Sequence, residues 1–341
     1  MRDNAKHIAI ASVLALVVSA LLLLGLQFVQ LLPGPAASSQ GVLVDRLFHW
    51  EVYVIAFVFA LVMAFMLYGI VVFRRKPGDT GEGTYFKGNT PLEIAWTVIP
   101  LVVVCAFAIA SGRDLTRILQ ASPNEMVIEV TGFQFGWRFY YPDAGVSSSE
   151  LYLPRGEPIL FRITSEDVIH DFWVPEFRIK QDAVPGQWHS LRITPTEAGD
   201  YTVLCNEMCG YAHAQMLAPV HVVEFDQFRA WVTQQKAGAP PAGTASTVGT
   251  GKTLVDQSGC LGCHSADGSE SHGPTLKGLY GSQVQLEDGS TVVADDGYLA
   301  ESIRDPGAKI VAGFGPEMPP AYSSLPDEDV NAIVEYVKSL K

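Results

Sequence analysis

Cys205-Asn206-Glu207-Met208-Cys209-Gly210-Tyr211-Ala212-His213-Ala214-Gln215-Met216 places two thiols, an imidazole and a thioether within twelve residues. Thiolate and thioether donors favour Cu(I), and imidazole serves both oxidation states, so the set suits a metal that changes charge with little change of geometry. Two plainer readings compete. A disulfide in an exported domain leaves His213 and Met216 unexplained, and structural zinc takes Cys and His in paired spacings and rarely takes Met.

Around this run, from Glu125 to Phe225, the pattern is one of short β-branched and aromatic stretches: Val127 to Gly132, Trp137 to Tyr141, Ile159 to Thr164, Trp188 to Thr194, Tyr201 to Leu204 and Leu217 to Val223. Pro, Gly and Asp turn signals separate them, which reads as a β-sandwich or Greek-key barrel. The ligand run then falls in the loop between the last two strands. A rigid barrel holds a metal from two sides, and His170, in the turn after Ile159 to Thr164, is the best distant ligand; His189 and His221 lie within strand-like runs. A mononuclear blue-copper site uses His2Cys with an axial Met. Cys205 and Cys209 together can instead bridge two coppers, each capped by one His and a weak ligand, with Glu207 offering its backbone carbonyl.

The chain has 341 residues and is 48% hydrophobic, too apolar for a purely soluble protein. Three runs account for the excess: Ile8 to Leu32, Val52 to Phe73 and Ile94 to Ala110. A spanning helix needs about 20 apolar residues, a length that the first two approach or exceed and that the third reaches with its flanks. Arg2 and Lys6 precede the first run and Arg74, Arg75 and Lys76 follow the second, so the positive-inside rule places the N-terminus and the loop at 74–93 in the cytoplasm. Everything after residue 111 then lies on the outer face of a bacterial plasma membrane. The expected plan is 1–40 as an N-terminal apolar segment, either an additional transmembrane helix or a signal peptide cleaved near Ala36 to Ser39; 41–118 as a transmembrane hairpin; 119–235 as the β domain; 236–250 as a flexible linker rich in Gly, Ala and Pro; and 251–341 as a second folded domain.

That second domain opens on Cys260-Leu261-Gly262-Cys263-His264, a C-x-x-C-H run that attaches haem through two thioethers and supplies His264 as an axial ligand. Met318, between prolines, is the expected second axial ligand, and His/Met ligation raises the haem potential. Gly273-Pro274-Thr275-Leu276 resembles the cytochrome c segment whose proline carbonyl orients the proximal histidine. His272 reads as a surface residue. Helices are expected over Gly251 to Gly259 and Asp327 to Leu340, the latter with Val330, Ile333, Val334 and Val337 on one face, and a short one over Phe228 to Gln235. A hairpin is expected over Val284 to Val293. Of five cysteines, only Cys105, inside the third apolar run, has no assigned ligand role, so no disulfide framework remains. The net charge of −13 and the lack of a basic patch beyond residues 74–76 argue against nucleic-acid binding. Residues 251–341 carry 14 acids and 6 bases, an acidic face for a basic partner.

His170, Cys205, Glu207, Cys209, His213 and Met216 together resemble the dinuclear copper A motif of the cytochrome c oxidase subunit II family. The likeness runs through Gly88-Asn89-Thr90-Pro91-Leu92-Glu93-Ile94-Ala95-Trp96-Thr97-Val98-Ile99-Pro100 and through Asp182 with Val184-Pro185-Gly186, and covers residues 45–235. Residues 251–341 resemble the class I cytochrome c fused to subunit II in caa3-type oxidases. The resemblance implies a multidomain membrane protein with a transmembrane helical hairpin and an additional N-terminal apolar segment, an all-β cupredoxin-like Greek-key domain and an all-α class I cytochrome c domain. It implies bridging by Cys205 and Cys209, completion by His170, His213, Met216 and the Glu207 carbonyl, and a magnesium shared between the Glu207 carboxylate and subunit I. Glu93 aligns with an acidic residue near a proton path; a helix-start carboxylate favoured by the dipole explains it equally well. In Gly132-Phe133-Gln134-Phe135-Gly136-Trp137, Phe135 stands where the family has the Trp that accepts electrons from a docked cytochrome, and Trp137 is the second aromatic of that stretch.

The function expected is electron input to a haem-copper terminal oxidase: an external donor, such as a small basic cytochrome c, reduces haem c, then copper A, then the haems of subunit I, where O2 is reduced to water with proton translocation. Subunits I and III are the expected partners. A copper A subunit of a nitric oxide reductase is the alternative. A membrane-anchored copper chaperone is a further one, although it needs neither Met216 nor a haem. A quinol oxidase subunit lacks these copper ligands.

Overall fold

Long apolar stretches have no water to bond their backbone and so become helices. Three arise here: α1 (Arg2–Phe28), α2 (Ser39–Val72) and α3 (Thr90–Leu119), each long and apolar enough to cross a membrane. The computed structural model describes residues 2–29, 32–78, 80–83, 85–238, 247–316, 318, 322–323 and 325–341, and the chain divides into two units, 1–36 with 40–120 and 37–39 with 121–341.

In the first unit, the buried alanines Ala11 and Ala15 of α1 and Ala56, Ala60 and Ala64 of α2 recur every four residues, a small-residue stripe that permits close helix approach. His7 Nδ1 lies 2.7 Å from the Tyr68 hydroxyl, tying the start of α1 to the end of α2. Arg46 donates to both Asp114 oxygens at 2.9 Å, and Arg117 adds a 3.2 Å contact, tying the start of α2 to the end of α3. The helices are therefore antiparallel neighbours. α3 begins with a cap: Asn89 Oδ1 accepts from Leu92 N at 3.3 Å, and Glu93 Oε1 accepts from Asn89 N at 3.0 Å. Pro91 fits there because the first helical N–H groups have no partner to lose.

The second unit begins with ten strands: β1 (Met126–Phe133), β2 (Gly136–Tyr141), β3 (Val146–Ser148), β4 (Leu151–Pro154), β5 (Ile159–Ser165), β6 (His170–Trp173), β7 (Lys180–Ala183), β8 (His189–Ile193), β9 (Gly199–Cys205) and β10 (Leu217–Val223). They form two sheets, ordered β3-β2-β1-β5-β8 and β4-β10-β9-β6-β7. β1 pairs parallel to β5 and β4 parallel to β10; the other pairs are antiparallel. Strict alternation in β5 sends Ile159, Phe161 and Ile163 inward, where Phe161 and Phe139 meet Phe172 of the opposite sheet at 5.2 and 6.4 Å between ring centroids. This is the expected cupredoxin-like sandwich. One placement is corrected: His170 is not in a turn but opens β6, where Phe172 pairs with Cys205 across β9. That register carries the distant histidine to the cysteine loop.

A helix, α4 (Phe225–Gly238), starts three residues before the expected Phe228 and packs on β3 and β4. Trp231 stacks on Tyr152 at 4.4 Å and 12°. Of the expected linker 236–250, residues 236–238 finish α4 and Thr247 already opens α5 (Thr247–Gln257); residues 239–246 lie outside the described residues.

The remainder packs α5, α6 (Asp296–Arg304) and α7 (Asp327–Ser339) around a second core, with a hairpin of β11 (Gln283–Gln285) and β12 (Thr291–Val293). Val330, Ile333, Val334 and Val337 are all buried. Gly251 of α5 lies against the Ala332 carbonyl of α7 with no room for a Cβ, so the two helices cross backbone to backbone.

Candidate metal centre and haem cleft

The loop between β9 and β10 folds its donors around one point. Cys205 and Cys209 Sγ are 3.7 Å apart, His170 Nδ1 is 3.8 Å from Cys205 Sγ, and His213 Nδ1 is 3.6 Å from Cys209 Sγ. Met216 Sδ lies 3.7 Å from Cys209 Sγ, and the Glu207 carbonyl 3.2 Å from Cys205 Sγ. All six sequence-selected residues thus converge, and the donor atoms of His170, Cys205 and Cys209 lie within 4.8 Å of one another. His170 and Met216 are fully buried. The chemistry of this donor set, soft, water-excluded and drawn from two sides of the sandwich, fits a copper centre.

Electrostatics couple the converging donors to one another. The contact with Cys209 holds Cys205 well below the ordinary thiol range, while that same contact, with burial, pushes Cys209 up. Burial works against a charged His170, but the Asp167 carboxylate and the Cys205 sulfur outweigh it and raise its pKa. Asp167 accepts from His170 Nε2 at 2.8 Å, from Gln134 N at 2.7 Å and from Val168 N at 2.6 Å. Burial opposes its charge, yet these donors hold its pKa down.

Asp167 was not among the residues selected from sequence. It fixes the His170 ring with Nδ1 facing the thiols, the outer-shell arrangement that orients metal-bound histidines. Asp167→Asn is expected to weaken copper binding by about tenfold or more, read by competition with a copper chelator, with the haem c band as internal control. An unchanged affinity would remove Asp167 from the site.

Trp137, 2% exposed, packs edge-on to His170 at 6.0 Å and to Phe172 at 5.7 Å. Phe135 is 5% exposed and meets Tyr211 edge-to-face at 5.1 Å. Gln134 donates its side-chain amide to the Cys209 carbonyl at 2.6 Å. Trp137 thus flanks one candidate donor, His170, and the Gln134-Phe135 turn is fastened to the backbone of another, Cys209. Glu207 and Glu93 are exposed. The Glu93 carboxylate is engaged in the α3 cap, which favours the helix-start reading.

The second site is an open cleft lined by Cys260, Cys263, His264 and Met318 together with apolar side chains of α6 and α7. His264 Nδ1 donates to the Pro274 carbonyl at 2.7 Å. Burial lowers the His264 pKa, and the neutral ring keeps its Nε2 lone pair for a metal. These residues fit a covalent haem, which Cys260 and Cys263 would anchor and His264 and Met318 would ligate. Gln134, Phe135 and Tyr211 line the same cleft, so the two sites are neighbours. His272 is exposed at its rim, its Nε2 3.3 Å from Gln215 Nε2.

Residues 146–224 match the family described as cytochrome c oxidase subunit II, periplasmic domain; residues 25–113 match its transmembrane domain; and residues 248–341 match cytochrome c. Cytochrome c oxidase subunit 2 of Alkalihalophilus pseudofirmus is 32% identical over 302 residues, covering 85% of this chain and 85% of the relative. The subunit 2 of Thermostichus vulcanus is 32% identical over 254 residues, 59% of this chain and 77% of the relative. Among solved structures, the periplasmic domain of subunit II of cytochrome oxidase from Bradyrhizobium japonicum is 29% identical with a TM-score of 0.33, over 35% of this chain and 98% of that one.

Proposed function

Because the chain belongs to the cytochrome c oxidase subunit II family, we propose that its six-donor loop and its C-x-x-C-H cleft form two consecutive stations of one electron relay. It is the electron-input subunit of a haem-copper oxidase, a membrane protein that works in a complex with subunit I, and its family and cytochrome c domain imply copper A and haem c. When bound, these groups supply one-electron carriers through which electrons from an external donor reach the haems of subunit I for the reduction of O2.

The chain's own residues do the rest. Cys205, Cys209, His170, His213, Met216 and the Glu207 carbonyl would hold copper A, which would supply a one-electron carrier. The burial of Met216 and His170 excludes water, so little solvent must reorganise when charge changes. Asp167 keeps His170 in one tautomer. Cys260 and Cys263 would anchor haem c and His264 and Met318 would ligate it, with the Pro274 carbonyl orienting His264. The Glu207 carboxylate, exposed at the loop, would share a magnesium with subunit I. Subunit III and a small basic cytochrome c complete the set of partners, the donor meeting the acidic 251–341 domain on the outer face of the plasma membrane.

The observation that carries this reading is the adjacency of the two donor sets, with Tyr211 of the copper loop 3.8 Å from the sulfur of Cys263. Its test is rapid reduction of the intact complex by a small cytochrome c. The haem c band is expected to change first and copper A second, with two coppers and one covalent haem per chain by metal and haem analysis. Copper A reduced ahead of haem c would overturn the order of the relay.

A further inference from the structure

The haem-attachment segment is seated directly on the copper side of the molecule. The ideal Cβ position of Gly136 lies 3.5 Å from the Gly259 Cα, and a Cβ on Gly259 would strike the Phe133 ring at 2.7 Å. Gly259 also has φ +70°, a conformation that glycine adopts without strain. A Cβ on Gly262 would meet the Phe135 carbonyl at 3.3 Å. The turn from β1 to β2 and the segment 259–263 therefore touch through glycine backbone and the Phe133 ring.

Tyr211 occupies the centre of this contact. It projects from the copper loop, midway between Cys209 and His213, packs edge-on to Phe135 at 5.1 Å, and brings its hydroxyl to 3.8 Å from Cys263 Sγ. In the haem-loaded protein that sulfur is a thioether with no hydrogen, so the phenol is the donor and the sulfur a weak acceptor. Four residues along the loop, Gln215 meets His272 at the cleft rim. The two contacts flank the cleft mouth.

We propose that Tyr211 is a positioning residue for haem-to-copper electron transfer: its ring and hydroxyl seat the haem-attachment segment on the copper-ligand loop and set how much of the time the two are in contact. The inference rests on the relay order given above. It goes beyond that order by assigning the coupling to a side chain that ligates nothing. Phe135, the residue expected from sequence to stand in for the usual aromatic, is buried behind Tyr211 and supports its ring.

The test uses the full complex in which Gln215→Cys and His272→Cys are joined by a short bis-maleimide, with the single-cysteine variants as controls and cross-linked tryptic peptides read by mass spectrometry. In this background Tyr211→Ala is expected to lower the cross-link yield, and in the otherwise native complex to slow haem c oxidation by copper A, each by about fivefold, the effect of one aromatic contact on a two-state population. Tyr211→Phe keeps the ring and is expected to restore both to within about twofold. Copper A and haem c spectra should be native in both variants, which a ligand-loop distortion would not allow. Unchanged yield and rate in Tyr211→Ala, or a shifted copper A spectrum, would overturn the proposal. Failure of the relay itself shows differently, as an absence of haem-to-copper transfer in the unsubstituted complex.

Discussion

Cys209→Ser is expected to abolish the copper A absorption and its electron-spin signature while leaving the covalent haem c band intact. Cys209 Sγ is the hub of the loop, within 3.8 Å of Cys205, His213 and Met216 donors. A serine hydroxyl is a hard oxygen that does not ionise at neutral pH, so it neither bridges two coppers nor stabilises Cu(I). His170 and Cys205 then remain as one side of a site whose other side is gone. Outer-shell changes commonly cost about 10–100-fold in affinity or activity; removal of a bridging ligand is expected to exceed that range, with donor-driven O2 consumption falling by at least about a hundredfold. A dinuclear signature of normal intensity in this variant would defeat the ligand assignment.

Removing residues 251–341 is expected to have the second largest effect, on the rate at which copper A accepts electrons. A tethered domain acts at an effective concentration in the millimolar range, so a soluble donor at about 10 µM must replace it at roughly a hundredfold lower concentration. The truncated chain also exposes Tyr211 and the turn around Phe135, a face not built with the 14 acids of the lost domain. Copper A reduction by a basic donor should therefore slow by about a hundredfold and lose part of its salt sensitivity. Stopped-flow reduction at two ionic strengths measures both. A rate equal to that of the full chain would show the haem domain to be dispensable.

Much of this architecture was legible because its signals are chemical or long. Soft ligands at 205, 209, 213 and 216 and the run at 260–264 have few structural uses, and three apolar runs leave little choice of fold. The strands with clear alternation, such as β5, were readable. β3, β4, β6 and β7 were not: they span three or four residues, and Lys180–Ala183 is a polar edge with no apolar period. β6 buries Asp171 beside His170, so its sequence looks like a loop. α6 hides behind Asp295-Asp296-Gly297, which reads as a turn until Asp295 is seen accepting from Tyr298 N at 2.8 Å.

At the site, ligands were legible and their supports were not. Asp167, three residues before His170, carries a recognisable spacing, but its role depends on the turn at Gln134 arriving from another strand pair. Tyr211 sat in plain view between two ligands. Nothing in the linear order places it against residue 263, because that contact belongs to the packing of two separately folded parts.

The burial of Phe135 under Tyr211 has a consequence for the choice of redox partner. Where the outermost aromatic of a copper domain faces solvent, one surface must satisfy both metal chemistry and donor recognition, and a change of donor reshapes residues beside the metal. On the proposed relay the donor would meet a different stretch of chain. Recognition becomes a replaceable module: residues 251–341 can diversify toward new electron sources while the loop from Cys205 to Met216 stays tuned to its metal.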